Sequence, residues 1–206
     1  MGEMMDVEVG DHKAMRRRAI VDAAIEIFAE RGFHSARVSD IASAAGVADG
    51  TIYLYFRSKD DILITIFEEK MAEMIRWMQD ALAPCNHWEE RLRVFSTKHL
   101  DVVEQNPSLA SVLQVELRLS NKFMKEYVPR RLQAYLDLVG DILIEGQKLG
   151  QIRADVNPVI VRRALFGALD EIAMQWVLSD RRYTLVDTAR QVAEVFISGL
   201  RVEGRG

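Results

Sequence analysis

The residues of this sequence best suited to chemistry are hydroxyl and cationic side chains in the segment from Val38 to Lys59. Thr51, Tyr53 and Tyr55 carry hydroxyl groups, and Lys59 carries an ammonium group. Such groups donate hydrogen bonds to the phosphate oxygens of a nucleic-acid backbone. The pattern therefore favours a surface that binds DNA phosphates over a site that carries out a reaction.

Two short helices joined by a tight turn are predicted to hold these groups in place. Ile41 and Ala42 form the apolar face of the first helix, and Gly46 follows where that helix must end with a positive φ. The second helix is predicted over about residues 48–55. This arrangement is the helix-turn-helix, which places its second helix in a DNA major groove.

The exposed start of the second helix is the part expected to reach the base edges. Gly50 stands there although glycine costs a helix about 1 kcal/mol relative to alanine, which indicates a close approach of DNA to the backbone. The alternative is a motif used only for packing, with the tyrosines as amphipathic cover. The predicted DNA-binding residues are Arg37, Ser39, Ala48, Asp49, Gly50, Thr51, Tyr53, Tyr55 and Lys59.

The segment resembles the signature of the TetR (tetracycline-repressor) family of bacterial transcription regulators. Arg37 departs from the family pattern, because the family has a threonine at that position. The resemblance implies an all-α fold with an N-terminal DNA-binding domain and a C-terminal domain for ligand binding and dimerisation. The matching residues are Gly32, Phe33, Val38, Ile41, Ala42, Ala45, Gly46, Val47, Gly50, Thr51, Ile52, Tyr53, Tyr55, Phe56, Ser58 and Lys59.

The net charge of −4 argues at first against a nucleic-acid partner, but the charge is unevenly distributed. Residues 13–59 carry eight Lys or Arg against five acidic residues, whereas residues 60–206 are net acidic. Because salt screens charges beyond about 10 Å, the local balance governs phosphate contact. The single cysteine, Cys85, excludes an intramolecular disulfide and fits a reducing cytoplasm. No signal peptide and no apolar run near the roughly 18 residues of a membrane span are recognisable.

Helix boundaries divide the chain into a flexible tail over residues 1–12, a DNA-binding domain over 13–57 and an effector-binding and dimerisation domain over 58–206. Ser58 is suited to cap the long helix that leads into the last of these. Because that helix is continuous, a shift of its far end must move the DNA-binding domain. About nine helices are predicted, at 13–31, 38–45, 48–55, 59–82, 88–105, 107–119, 122–149, 158–180 and 185–202.

The long helix carries one apolar stripe of Phe67, Met71, Met74, Met78 and Leu82. Such a stripe is most often core. Methionine side chains also suit a pocket that must adapt to a flexible apolar ligand.

The last two helices are more apolar than the outer layer of a small protein requires. They are predicted to pair with their copies in a four-helix dimer interface, which would give the two DNA-binding heads that useful specificity demands. The alternative is that they only close the core of a monomer. The predicted interface residues are Leu165, Ala168, Ile172, Trp176, Val192, Val195, Phe196 and Gly199.

Residues 60–206 contain no recognisable catalytic or metal-binding motif. The histidines His12, His34, His87 and His99 lack a paired ligand spacing such as H-E-x-x-H, and no phosphate-binding glycine-rich loop is present. No cofactor, no metal and no enzymatic activity are therefore expected. A large apolar interior attached to a DNA-binding domain favours a ligand pocket between helices.

A closer resemblance narrows the ligand. The runs GVADGTIYLYF, KDDILI, QVELRLSN, FGALDE and WVLSD are similar to those of TetR-family repressors of fatty-acid degradation. The resemblance implies a repressor that long-chain acyl-CoA releases from pseudo-palindromic operator DNA.

The residues can be tested against such a ligand. Each buried CH₂ contributes about 0.8 kcal/mol, so apolar side chains suit the acyl chain. Five cations between residues 118 and 131, in a domain that is net acidic, suit the phosphates. The alternatives are ordinary core and a solvated basic patch. The predicted effector-binding residues are Leu100, Val103, Leu113, Leu117, Arg118, Asn121, Lys122, Lys125, Arg130, Arg131, Leu136, Phe166 and Leu169.

Two other functions remain open at this level. A repressor of a multidrug efflux gene would use carboxylates and aromatic groups to bind a hydrophobic cationic drug, and Glu116, Asp170, Glu171 and Trp176 fit that interpretation. A helical enzyme or interaction module would use the helix-turn-helix only as a scaffold. Failure to bind any DNA specifically would favour the latter.

Overall fold

The computed structural model of the protein describes residues 2–115, 128–179 and 183–202. Those residues contain no β-strand, and one isolated antiparallel bridge joins Ile152 to Arg201. The predicted all-α class is confirmed. The helices of the described ranges are α1 Gly2–Arg31, α2 Val38–Ala44, α3 Asp49–Ile52, α4 Lys59–Leu82, α5 Trp88–Gln105, α6 Pro107–Gln114, α7 Val128–Lys148, α8 Pro158–Leu178 and α9 Leu185–Leu200.

Helix α1 starts at Gly2, so the predicted helix start near Lys13 is corrected, and the flexibility of residues 1–12 stays a prediction. The added segment contains no proline, the residue that most strongly interrupts a helix. The end of the helix agrees with the prediction, because the amide of Gly32 donates to the carbonyl of Phe28 at 3.0 Å.

The first three helices enclose a small apolar core. Phe28 is fully buried, and its ring meets that of Phe33 edge-on with the centroids 5.3 Å apart. Helix α2 packs on both α1 and α3. The other buried side chains of this core include Ile20, Ala24, Ile41, Ala42, Ile52 and Phe56.

Helix α3 is shorter than predicted. After Ile52 the amides of Leu54 and Tyr55 donate to carbonyls three residues back, those of Thr51 at 3.1 Å and Ile52 at 3.0 Å. Glycine and β-branched residues are weak helix formers, and three of the four residues of α3 are of these types. The segment therefore tightens into turns before residue 56.

Helix α4 connects the two domains. Ser58 caps its start as predicted, since the Ser58 Oγ accepts from the amide of Asp61 at 3.1 Å. Along its length α4 contacts α1, α5 and α7. In the predicted stripe Met74 is half-buried and the other four side chains are buried.

Helix α5 lies at the centre of the larger domain. It packs against α4, α6, α7, α8 and α9, and its contact with α9 is the most extensive in the described fold. Phe95 and Leu100 of α5 are fully buried, and His99 is 5% exposed. Any polar group on the inner face of α5 is therefore surrounded by other helices.

The outer helices α8 and α9 have apolar residues on more than one face. Leu165 and Trp176 are 1% and 5% exposed, so their assignment to the dimer interface is corrected. Sequence periodicity could not separate the two faces, because α8 is apolar almost all round. Val195 is 72% exposed. The remaining residues predicted for the interface, all half-buried or exposed, are Ala168, Ile172, Val192, Phe196 and Gly199.

Replacing Ser58 with alanine removes the oxygen that caps α4 and should lower the free energy of unfolding by about 1 kcal/mol. Chemical denaturation followed by circular dichroism measures the change. Ser43→Ala is the matched control, since Ser43 is exposed in the last turn of α2 and its loss should change stability by less than about 0.5 kcal/mol. Equal stabilities of the two variants would contradict the role of the cap.

Candidate DNA-binding surface and effector cavity

The turn between α2 and α3 is a Schellman motif with glycine at its left-handed position. Gly46 has φ of 66°, and its amide donates to the carbonyl of Ser43 at 3.2 Å. The amide of Val47 donates to the carbonyl of Ala42 at 3.0 Å. These two bonds satisfy the last carbonyls of α2 and fix the angle at which α3 leaves.

The predicted DNA-binding residues around this turn are largely open to solvent. Tyr53 is 60% exposed, and Thr51 and Tyr55 are half-buried. A Cβ added at Gly50 would meet no atom within 4 Å, so the protein itself does not require glycine there. The other exposed members of the predicted set are Arg37, Ser39, Ala48, Asp49 and Gly50.

Arg37 takes the N-cap position of α2, where the threonine of the family pattern was expected to act. Its own backbone amide donates to the Asp40 carboxylate at 3.1 Å, and that carboxylate also pairs with Arg31 at 3.0 Å. The carboxylate of Asp40 therefore fixes the helix start, and the exposed guanidinium of Arg37 is not needed for the cap.

Lys59 does not have the role predicted for it. Its Nζ donates to the carbonyl oxygens of Phe33 at 2.5 Å, His34 at 3.1 Å and Ala36 at 2.8 Å. An ammonium group has three hydrogens, so this arrangement uses all of them. The prediction of a phosphate contact is corrected, because Lys59 holds the turn between α1 and α2 against the start of α4.

A cationic flank that was only partly foreseen lies beside α3. His12, Lys13 and Arg16 of α1 line the same surface depression as Leu54 and Tyr55. The sequence signal was the basic run at residues 16–18, which composition alone could not distinguish from a solvated helix end. Proximity to the tyrosine places the cations Lys13 and Arg16 next to the predicted DNA-binding residues.

Gly46 and Gly50 allow a test that separates folding from DNA binding. Gly50→Ala should leave stability unchanged or raise it by up to about 1 kcal/mol, yet weaken DNA binding, because the new methyl group faces only the DNA. Gly46→Ala should destabilise the protein by about 1 kcal/mol or more, because alanine is strained at positive φ. Thermal unfolding measures the stability of each variant, and fluorescence anisotropy of labelled DNA measures its DNA affinity. Full DNA affinity in a stable Gly50→Ala variant would contradict the placement of α3 in the groove.

An apolar cavity of about 130 Å³ lies inside the larger domain. Three of the predicted effector-binding residues, Val103, Leu113 and Phe166, line it. The other described residues that line it belong to the segment from α4 to α8 and are Phe67, Met71, Met74, His99, Val102, Asn106, Leu109, Ala110, Gln114, Leu132 and Asp170.

The other predicted effector-binding residues of the described ranges do not line this cavity. Leu100 and Leu169 are fully buried and Leu136 is 2% exposed, so these three lie in the packed core of this structure and their contact with an effector stays a prediction. Arg130 is exposed, and Arg131 forms an ion pair with Glu68 of α4. Periodicity marks buried positions without telling which of them border a void. Leu117, Arg118, Asn121, Lys122 and Lys125 lie outside the described residues.

A buried polar pair stands at the cavity wall and was not predicted. The Nδ1 of His99 and the hydroxyl of Tyr135 are 2.9 Å apart. Burial lowers the pKa of His99 to about 4, while the nearby Asp170 acts in the opposite direction, and burial also raises the pKa of Tyr135. His99 is therefore neutral at pH 7. The only sequence signal was a histidine on the apolar face of α5.

Two helices of the cavity wall contact the DNA-binding domain directly. Helix α4 carries Met71 and is joined to α1 by the ion pair between Glu69 and Arg17. Helix α6 packs on α1, and the Ser108 hydroxyl at its start donates to the Glu26 carboxylate at 2.7 Å. The cavity wall is therefore connected to α1 at two places.

The structure combines a helix-turn-helix surface with a second domain whose cavity walls contact the DNA-binding domain. This combination defines a ligand-regulated DNA-binding transcription regulator. Residues 20–66 match the model for bacterial regulatory proteins of the tetR family, and residues 67–199 match that for the YsiA-like protein C-terminal region. The chain therefore belongs to the TetR family, whose regulators bind operator DNA as dimers.

Individual relatives can be aligned with nearly the whole chain. The fatty acid metabolism regulator protein of Bacillus subtilis is 40% identical over 181 residues, which cover 88% of this chain and 93% of the relative. The crystal structure of B. subtilis FadR in complex with stearoyl-CoA superposes with a TM-score of 0.84 at 40% identity, covering 88% of this chain and 98% of that one. The structure of the fatty acid degradation regulator FadR from Bacillus halodurans superposes with a TM-score of 0.83 at 38% identity, covering 89% of this chain and 99% of that one.

The described residues contain no group of three or more His, Cys, Asp or Glu side chains placed to hold a metal ion. Among them no helix has the length and apolar character needed to cross a bilayer.

Proposed function

We propose that the protein is a non-enzymatic cytoplasmic repressor of fatty-acid degradation genes, released from operator DNA by long-chain acyl-CoA. The observation that carries the proposal is the apolar cavity, in a chain 40% identical to a regulator whose structure holds stearoyl-CoA. Relatives of 38–40% identity that regulate fatty-acid metabolism or degradation support this function over drug sensing.

The acyl chain supplies the driving force. At about 0.8 kcal/mol for each buried CH₂, a chain of 16 carbons offers on the order of 10 kcal/mol before costs. The cavity of about 130 Å³ is comparable to one that holds a benzene molecule, so it must enlarge to accept such a chain. Met71 and Met74 are the lining residues that can rearrange most easily, since methionine is unbranched and flexible.

Enlargement of the cavity would act on DNA binding through α4 and α6. Both helices form its walls and both contact α1, so widening the space between them changes how the DNA-binding domain is held. A ligand shifts this equilibrium only by its difference in affinity for the two states. Moving the population from 1:99 to 99:1 requires about 5.5 kcal/mol, which is within the burial energy of the chain.

The phosphate groups of the ligand would lie on the basic edge before and at the start of α7. Arg130 is exposed there, and Arg131 is already paired with Glu68. Arg118, Asn121, Lys122 and Lys125 stay predicted members of this edge.

The function is tested by titrating labelled DNA from upstream of this gene with the protein, and then adding palmitoyl-CoA below its micelle concentration. Fluorescence anisotropy should rise on binding and fall when palmitoyl-CoA is added. Free CoA and palmitate serve as controls and should leave the complex intact, since each lacks one half of the ligand. Specific DNA binding that palmitoyl-CoA does not affect would reject acyl-CoA as the effector.

The basic edge is tested by Arg130→Ala. Removing one exposed cation that faces the phosphates should raise the palmitoyl-CoA concentration needed for release several-fold and leave DNA affinity unchanged. Arg190→Ala is the matched control, since Arg190 is exposed on α9, is paired with Asp187 and does not line the cavity. Equal release curves for the two variants would remove Arg130 from the effector site.

A further inference from the structure

A buried polar atom beside the cavity has no hydrogen-bond partner in the described part of the chain. His99 is 5% exposed, its ring lines the cavity, and its Nε2 has no hydrogen-bond partner among the described residues. Buried nitrogens of this kind are normally paired, because an unmade hydrogen bond in a low-dielectric interior is costly. An apolar ligand alone would leave this cost in place.

The hydrogen bond to Tyr135 determines what Nε2 can offer. Both groups are buried, and the Tyr135 hydroxyl has Nδ1 of His99 as its partner, 2.9 Å away. The hydroxyl hydrogen must be donated to an acceptor, and Nδ1 can accept it only when the ring proton is on Nε2. This tautomer makes Nε2–H a hydrogen-bond donor at the cavity wall.

The surroundings hold that donor in a fixed direction. The ring of Phe95 stacks on the imidazole with the centroids 6.3 Å apart, and Phe166 meets it edge-on at 5.8 Å. The nearby Asp170 disfavours a second carboxylate, and the neutral imidazole supplies no positive charge to hold one. The site therefore matches a neutral oxygen better than the carboxylate of a free fatty acid.

We propose that His99 determines effector specificity by donating a hydrogen bond from Nε2 to a neutral oxygen of the acyl group, with Tyr135 as the residue that positions its proton. The oxygen is either the thioester carbonyl or a hydroxyl group on a partly oxidised chain. The inference rests on the proposed function, since it concerns the same cavity and the same class of ligand.

The test compares three ligands in the DNA-release assay. Palmitoyl-CoA contains the thioester carbonyl, S-hexadecyl-CoA replaces it with CH₂, and 3-hydroxypalmitoyl-CoA adds a chain hydroxyl. If the carbonyl is the acceptor, palmitoyl-CoA should act at a concentration about tenfold or more below that of S-hexadecyl-CoA. If a chain hydroxyl is the acceptor, 3-hydroxypalmitoyl-CoA should be preferred over palmitoyl-CoA by a similar factor.

Matched variants connect the preference to Nε2. His99→Gln can place an amide N–H near the position of Nε2 and should retain the preference. His99→Asn reaches only the position of Nδ1 and should lose it. Tyr135→Phe removes the group that fixes the tautomer and should reduce the preference by several-fold. DNA binding by each variant without ligand confirms that it is folded.

The outcomes separate the inference from the proposed function. Equal potency of all three ligands on the wild-type protein would overturn the inference and leave acyl-CoA release in place. A preference that persists in His99→Asn would overturn it as well, because His99 would then have only a packing role. If none of the three ligands released the DNA, the proposed function would be overturned, and the inference with it.

Discussion

The binding of one ammonium group to three carbonyl oxygens fixes the geometry on which the rest of this protein depends. Lys59 is the first residue of α4, and its Nζ binds the carbonyls of Phe33, His34 and Ala36 in the turn that follows α1. It also lies 4.6 Å from the centroid of the Phe33 ring. The beginning of the connecting helix is therefore held to the DNA-binding domain at its base, and movements of α4 reach that domain without an intervening flexible linker.

The cavity lies where such movements can be produced. Its walls come from α4 and α6, which contact α1, and from α5, which is surrounded by the other helices of the larger domain. Since α5 is fixed by its neighbours, a ligand that needs more room displaces α4 and α6 more readily than α5. The contacts of Arg17 with Glu69 and of Glu26 with Ser108 would transmit that displacement.

The sequence predicted the elements of this fold better than the faces of its helices. The Ser58 cap and the Gly46 turn follow from local rules that tertiary packing does not alter. Lys59 matched a family pattern, and no local rule shows that its ammonium group meets three carbonyls from another segment. Leu136 has the same spacing as residues that border the cavity, and whether an apolar side chain faces a void or a neighbour is decided by packing between distant segments.

A dimer interface on the exposed apolar side chains of α8 and α9 would link the amount of protein to its activity. Val195, Ile160 and Leu178 are 72%, 66% and 64% exposed in a single protomer, so separated protomers carry a surface that water solvates poorly. When association buries such a surface, the stability of the assembly rises with protomer concentration. In the range where dimers are the minor species, their number grows as the square of the protomer concentration. Control of the operator would then respond more steeply to repressor synthesis than one-to-one binding allows.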